Sequence, residues 1–429
     1  MKIVLIAVGT RGDVEPFLAV GSLLAARGHR ITCAFPGQYV PLAEEAGFAA
    51  VGLDRRLLEL AEGRDGEALM GGGGGSWWRS AHHFMTLARE GLAANRRVVS
   101  QLTELLGDDT FDRVVFHPKA SFPFVYAVAR PDRVVALSPV PWVVHPVPGR
   151  PHLGFEWLGR IGMAGLSYRL VNYGLAQNLL GSTREFRKRH GIRAAAVRRA
   201  VVATPLAYSV SPSLFPRPER WPDHVRVLGF HPRQSRSAVE DQKVAAFVAR
   251  HGEFVVVTFG SMRNADPEGK SRMLLTVLAE LGIPAILNRA GGGLAEPPDY
   301  DRERFLFTAT LDYDRVFPLA AAVIHHGGAG TTQTGLLHGR PTLIFPHIVD
   351  QFAWNRLVAV SGLGPEGIPI SQLSEKTFRP RLLDLLKNRN YRLSAAELGI
   401  RMRAEDYEAA ICRFLTGSAT PSAAVPRNP

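Results

Sequence analysis

Two runs of the chain, Lys2-Ile-Val-Leu-Ile-Ala-Val8 and Phe254-Val-Val-Val-Thr-Phe259, are apolar with no alternation. A strand with one face in water alternates every second residue, whereas a strand covered on both faces does not. Each run therefore predicts the first strand of a parallel sheet sandwiched between helices, and 429 residues are enough for two such units. After the first run, Pro16 suits an opening helical turn, Phe17, Val20 and Leu24 recur at helical spacing, and Gly28 ends the segment before Ile31–Phe35 returns as a strand. That order is a right-handed crossover unit. Arg113–Phe116 and Arg133–Leu137 read as later strands of the same sheet; Pro284–Leu287, Ala320–Ile324 and Thr342–Phe345 read as those of the second. The prolines 212, 216, 218 and 222 predict an exposed connection. The expected organisation is an amino-terminal domain over 1–215, a linker over 216–232, a carboxyl-terminal domain over 233–415 and a flexible tail over 416–429. Two doubly wound α/β halves place their strand ends across one central cleft, where ligands of this architecture bind.

Composition narrows the function classes. The 51 basic and 39 acidic residues leave a formal net charge of +12, which favours anionic ligands or surfaces without naming one. No zinc-finger spacing or basic-aromatic signature points to nucleic acid. Cys33 and Cys412 are the only cysteines, too few for a disulfide framework, and a reducing cytoplasm is the expectation. The opening run is too short for a membrane span and is followed at once by Arg11 and Asp13, which leaves at most a peripheral membrane contact.

Three segments carry chemistry. Ile324-His325-His326-Gly327-Gly328-Ala329-Gly330-Thr331-Thr332 follows a predicted strand and opens a helix. Glycines let backbone amides approach an oxyanion, the helix amino terminus adds the positive end of its dipole, and His326, Thr331 and Thr332 add donors. No lysine follows, so this is not a Walker loop. Asp350-Gln351 sits past the strand Thr342–Phe345 on the same rim, where a carboxylate beside an amide suits sugar hydroxyls; off that rim the pair would read as a helix cap. In the first connection, Gly9-Thr10-Arg11-Gly12-Asp13, Asp13 has two readings of equal weight. It is placed to take a proton from an acceptor hydroxyl, and Thr10-x-x-Asp13 is also a capping-box spacing. His117, in Phe116-His-Pro118, reads as a strand-end histidine or as an assistant to Asp13.

Together, Gly9-Thr-Arg-Gly-Asp-Val-Glu-Pro16, His325-His-Gly-Gly-Ala-Gly-Thr-Thr332, Gly339-x-Pro341 and Pro346-x-x-x-Asp350-Gln351 resemble the nucleotide-sugar-dependent glycosyltransferases of the two-Rossmann GT-B architecture. The resemblance is to the UDP-glycosyltransferase family 1, in the branch of glycopeptide-antibiotic and sterol glucosyltransferases. It implies two Rossmann-like domains and an inverting transfer with Asp13 as base. It also implies that His326, Gly328, Gly330 and Thr331 hold the diphosphate with Gly260 and Ser261, and that Asp350 and Gln351 hold the sugar. The backbone from Leu311 to Tyr313 would read the uracil ring. Where plant members carry a ribose-binding glutamate this chain has Thr334, which leaves the donor open between UDP-glucose and a dTDP-sugar. The resemblance implies no cofactor beyond the nucleotide sugar and no required metal.

Acceptor recognition is expected in the amino-terminal half. Trp77 and Trp78 follow the glycine run 71–75, Phe84 and Met85 lie just beyond, and Trp142, Phe155 and Trp157 fall in proline-rich irregular sequence. Rings in such segments suit an apolar ligand such as a sterol, terpenoid or polyketide, with a glycopeptide as the alternative. A nucleotide-sugar epimerase would need acid-base groups on both faces of the sugar, and a degenerate partner protein would lack Asp13 or the glycine loop.

Overall fold

The computed structural model describes residues 1–56, 93–153, 155, 158, 159, 161–233 and 242–417. The first sheet has strands β1 (Lys2–Ile6), β2 (Arg30–Pro36), β3 (Ala49–Leu53), β4 (Arg113–Phe116), β5 (Val134–Ser138), β6 (Leu206–Tyr208) and β7 (Val225–Val227). They lie in the order β3-β2-β1-β4-β5-β6-β7, and every pair is parallel. The second sheet has β8 (Val255–Thr258), β9 (Ala285–Asn288), β10 (Phe305–Thr308), β11 (Ala322–His325) and β12 (Thr342–Ile344), ordered β10-β9-β8-β11-β12 and again all parallel. The unalternating runs are explained: Ile3 to Ile6 and Val255 to Val257 are wholly inaccessible, with odd and even residues packing into different apolar clusters on opposite faces.

Seven helices shape the cleft and its surroundings. Helix α1 (Arg11–Ala25) leaves β1; α2 (Ala164–Ser182), α3 (Arg184–Arg189) and α4 (Ala194–Ala203) form an excursion between β5 and β6; α5 (Ala329–Leu337) leaves β11; α6 (Val349–Val360) comes after β12; and α7 (Glu408–Thr416) is last.

Two boundaries read from the sequence are corrected. The segment 216–232 is not an exposed linker: it contains β7, which extends the first sheet, and Trp221 is buried with its indole Nε1–H donating to the Pro146 carbonyl at 2.7 Å. The second domain does not keep 233–415 to itself either. Helix α7 returns to the first lobe, where Ile411, Cys412 and Leu415 join the cluster of Leu5, Phe17 and Cys33, and Arg113 Nε donates to the Leu415 carbonyl at 2.6 Å. Prolines and helical periodicity report local conformation, not the lobe against which a segment packs.

The lobes also meet directly. Ser211 N–H donates to Gln333 Oε1 of α5 at 2.9 Å, and Ser211 Oγ donates to Glu405 at 2.6 Å. Trp142 of the first lobe meets Trp354 of α6 edge to face, with ring centroids 5.2 Å apart at 81°. No helix among the described residues is long and apolar enough to cross a membrane.

Candidate active site

The carboxyl end of β1 turns sharply into α1 through Gly9, whose φ is +137°. A Cβ there would stand 2.1 Å from Asp13 Oδ2, so only glycine lets the carboxylate fold back over the turn. Thr10 N–H donates to Asp13 Oδ2 at 2.8 Å and the Thr10 hydroxyl does so at 3.3 Å. One carboxylate oxygen thus caps the helix, as the capping-box spacing allows. The other, Oδ1, receives Lys119 Nζ at 2.7 Å and faces His117 Nε2 at 3.4 Å. The two readings of Asp13 are therefore compatible, because they use different oxygens.

His117 and Lys119 reach Asp13 from the turn after β4, the neighbour of β1. Burial pushes His117 down to about 4 against the pull of Asp13, so its ring is neutral at ordinary pH. The Lys119 backbone N–H donates to His117 Nδ1 at 3.1 Å. A neutral imidazole that accepts at Nδ1 carries its proton on Nε2, the atom turned toward Asp13. Burial raises the Asp13 carboxyl, but the charge of Lys119, the influence of His117 and the hydrogen bonds from Lys119 and Thr10 outweigh it and hold the group below its ordinary range.

Across the cleft, β11 ends in His325 and His326 before the glycines. Gly327 has φ +93° and a Cβ there would meet Ile344 Cγ2 at 2.7 Å. The His326 imidazole occupies a slot between two glycines: a Cβ at Gly328 would stand 2.5 Å from Nε2, and one at Gly260, φ +58°, 2.6 Å from Cε1. His326 is buried and its Nδ1 has no partner among the described residues. Burial first, then the neighbouring His325 and His347, push its pKa well below the ordinary value, so it offers a neutral ring and no positive charge. His325 Nδ1 accepts the Gly327 amide at 2.9 Å, which makes this histidine a brace for the loop. Helix α5 starts at Gly328 without a side-chain cap. Open space surrounds Gly330, and Thr331 is half-buried. The Thr332 hydroxyl is turned back on the Gly328 carbonyl at 2.9 Å, so it is committed to its own helix.

At the start of α6, Gln351 Oε1 accepts the amides of His347 at 2.7 Å and Ile348 at 3.1 Å. Its carbonyl oxygen is thus a helix cap, and only its amide nitrogen remains for a ligand. Asp350 is half-buried, and burial raises its carboxyl to about 6, with Lys119 pulling it down and Asp13 pushing it up. The charges of Lys119 and Asp13 on the first lobe thus act on Asp350 of the second. Leu311 is half-buried beside Tyr313, whose hydroxyl lies 2.9 Å from Thr258 Oγ1. Ser261 packs its backbone against Gly291, where a Cβ would stand 2.5 Å from Ser261 Cα.

The rings assigned to the acceptor divide. Trp77, Trp78, Phe84, Met85 and Trp157 lie outside the described residues. Phe155 is half-buried beside His152. Trp142 is corrected: it is 1% exposed, wedged against Trp354 and Phe215, and it joins the lobes instead of lining open space. Proline-rich sequence excludes helix but says nothing about depth. Lys119 was missed; its signal was the position of His117-Pro-Lys119 at the carboxyl end of a strand, on the rim that carries Asp13.

Two parallel-sheet lobes, one carrying a glycine loop and an open helix amino terminus and the other a braced carboxylate, make up the GT-B fold. Comparison with known proteins agrees. Residues 305–415 match the family model of the erythromycin biosynthesis protein CIII-like C-terminal domain, and residues 3–59 match the glycosyltransferase family 28 N-terminal domain. A sterol 3-beta-glucosyltransferase of Arabidopsis thaliana is 29% identical over 387 residues, covering 87% of this chain and 61% of that protein. The O-mycaminosyltylonolide 6-deoxyallosyltransferase of Streptomyces fradiae is 25% identical over 421 residues, covering 94% of each. Among solved structures, the glycosyltransferase of kitacinnamycin superposes with a TM-score of 0.69 at 19% identity, over 98% of this chain and 99% of that one. The calicheamicin glycosyltransferase CalG4 gives 0.68 at 18% identity, with the same coverage of each chain. The chain has the GT-B fold and is similar, along most of its length, to sterol 3-beta-glucosyltransferases and to an antibiotic-type deoxyallosyltransferase. It spans 61% to 64% of the length of the plant sterol glucosyltransferases it matches.

Proposed function

We propose that this protein transfers a hexose, with inversion, from a nucleotide diphosphate sugar to a hydroxyl of a hydrophobic small molecule. The observation that carries the reading is the divided carboxylate of Asp13: Oδ2 is spent on the helix cap, while Oδ1 is held by Lys119, a cation that also acts on Asp350 of the other lobe. In the reaction the acceptor oxygen bonds to the anomeric carbon as the bond from that carbon to the phosphate oxygen breaks. The acceptor proton passes to Asp13 Oδ1, and the electron pair leaves with the nucleoside diphosphate. A carboxylate held below its usual range is ionised throughout the neutral region, so the base is always available.

The diphosphate meets the first amides of α5, the dipole of that helix and the Thr331 hydroxyl, with His326 neutral between its glycines. This set supplies leaving-group stabilisation without invoking a metal. Asp350 and the amide nitrogen of Gln351 take sugar hydroxyls. UDP-glucose with a sterol-like alcohol is the favoured pair, since sterol 3-beta-glucosyltransferases recur among the relatives. The Streptomyces fradiae deoxyallosyltransferase favours a second reading, a dTDP-deoxysugar moved to a polyketide.

The test mixes purified protein with UDP-glucose or a dTDP-sugar and a panel of hydrophobic alcohols, and monitors free nucleotide. Release that requires an alcohol supports transfer. An epimerised sugar formed without alcohol would point to an epimerase, and silence with every donor to a protein that only binds.

A further inference from the structure

We propose that the outer face of the helical excursion between β5 and β6 docks on an anionic lipid bilayer. Eleven large apolar side chains are exposed among the described residues, and four of them, Ile161 (58%), Met163 (45%), Leu170 (48%) and Tyr173 (59%), fall within thirteen positions at the start of α2. Leu170 and Tyr173, three apart, share one side of the helix. A fifth, Val202, lies on α4 of the same excursion. Asn172 Nδ2 donates to the Val144 carbonyl at 3.0 Å, and the ring of the next residue, His145, meets the Val202 carbonyl at 3.1 Å. The middle of α2 and the end of α4 are therefore pinned to adjacent residues of one strand of chain.

Charge selects the occupant. Residues 161–200 hold eight Arg or Lys and one acidic residue, Glu185, a net of seven out of the +12 of the whole chain. Arg169, Arg184, Lys188, Arg193, Arg198 and Arg199 are exposed and form no ion pair among the described residues. An exposed apolar cluster in the same excursion as unpaired cations suits a membrane surface: the apolar side chains enter at headgroup depth, a tyrosine rests at the interface, and the guanidinium groups meet lipid phosphates. Nucleic acid would use the arginines and leave the apolar side chains in water. Docking does not depend on the transferase reading. On that reading, however, it sets the cleft beside the phase from which a hydrophobic acceptor is drawn, because the excursion leaves the carboxyl end of β5.

Flotation of the full chain with vesicles of phosphatidylcholine, alone or with one third phosphatidylglycerol, tests this. Binding to the anionic vesicles is expected to exceed that to neutral ones by about ten-fold or more and to fall away in molar salt. The double variant Leu170→Ser/Tyr173→Ser and the double variant Arg198→Glu/Arg199→Glu should each lose about ten-fold, with circular dichroism and thermal midpoint as for the parent. Should either fail to fold, Arg169→Glu/Arg184→Glu probes the same face without touching packed side chains, and Tyr173→Trp should show an emission blue shift only with anionic vesicles. Equal or absent binding to the two vesicle types, or variants that bind like the parent, would overturn the proposal. So would self-association in sedimentation equilibrium that Tyr173→Ser abolishes while vesicles capture nothing, since that face would then belong to a second copy.

Discussion

Lys119 Nζ lies 2.7 Å from the one oxygen of Asp13 that the cap of α1 leaves over. The ammonium is part-exposed and also feels Asp350 on the other lobe, and the two carboxylates hold it protonated above its ordinary range against the opposing effect of burial. It is a charge bridge between the proposed base and the proposed sugar-binding acid, two like charges that would otherwise repel across the cleft.

Asp13→Asn should cut turnover by roughly two to four powers of ten, the usual worth of general base catalysis, while nucleotide binding by calorimetry stays near the parent value. The amide oxygen still accepts from Thr10, so the cap survives and any fall in thermal midpoint reports the lost ion pair with Lys119. Asp13→Ala removes the cap as well and should lower stability by about 1 kcal/mol. Turnover of the asparagine variant equal to the parent would clear Asp13 of the base role.

Lys119→Met should move the acid limb of the kcat profile to higher pH, because the largest influence depressing the Asp13 carboxyl is gone. A carboxyl depressed on folding stabilises fully above its unfolded value near 3.8, and that stabilisation is lost as pH falls through the lower folded value. The parent should therefore lose this contribution only in strong acid, and the methionine variant should lack it. Urea midpoints measured across acid pH check this.

Asp350 has the opposite sign: its carboxyl rises to about 6, so folding favours the protonated form, a contribution present below 3.8 and lost as pH rises through about 6. If its carboxylate accepts sugar hydroxyls, affinity for the nucleotide sugar should weaken as pH drops below about 6, whereas affinity for the free nucleotide should not. Asp350→Asn should flatten that dependence. A titration series with both ligands decides it, and parallel curves would remove Asp350 from the sugar site.

Gly260→Ala forces a side chain into φ +58° and against the His326 ring. The conformational cost is roughly 1–2 kcal/mol, and displacement of the ring should weaken nucleotide binding by about ten-fold, equivalent to ~1.4 kcal/mol. Unchanged affinity would show that the slot does not position the diphosphate.

Trp142→Ala should destabilise by about 3–5 kcal/mol, as expected for a large ring removed from a packed junction, and lower the thermal midpoint strongly. A selective rise in KM for the acceptor with stability intact would instead return Trp142 to the acceptor surface.

Eight of the twelve strands, the doubly wound class of both halves and the turn at Gly9 were legible in the sequence because each is written locally, whereas β3, β6, β7 and β10 were not. A strand covered on both faces needs an unbroken apolar run, and a backbone with positive φ under a folded-back side chain needs glycine, as at Gly9. Only the tertiary structure decided the rest. It placed Lys119 on an acid 106 positions earlier, returned α7 to the first lobe, continued the first sheet into a proline-rich segment and buried Trp142 against Trp354. Those outcomes depend on which surfaces meet after the chain has folded over long distances. Nothing in the residue types along a short window encodes the partner that waits on the other side of the cleft.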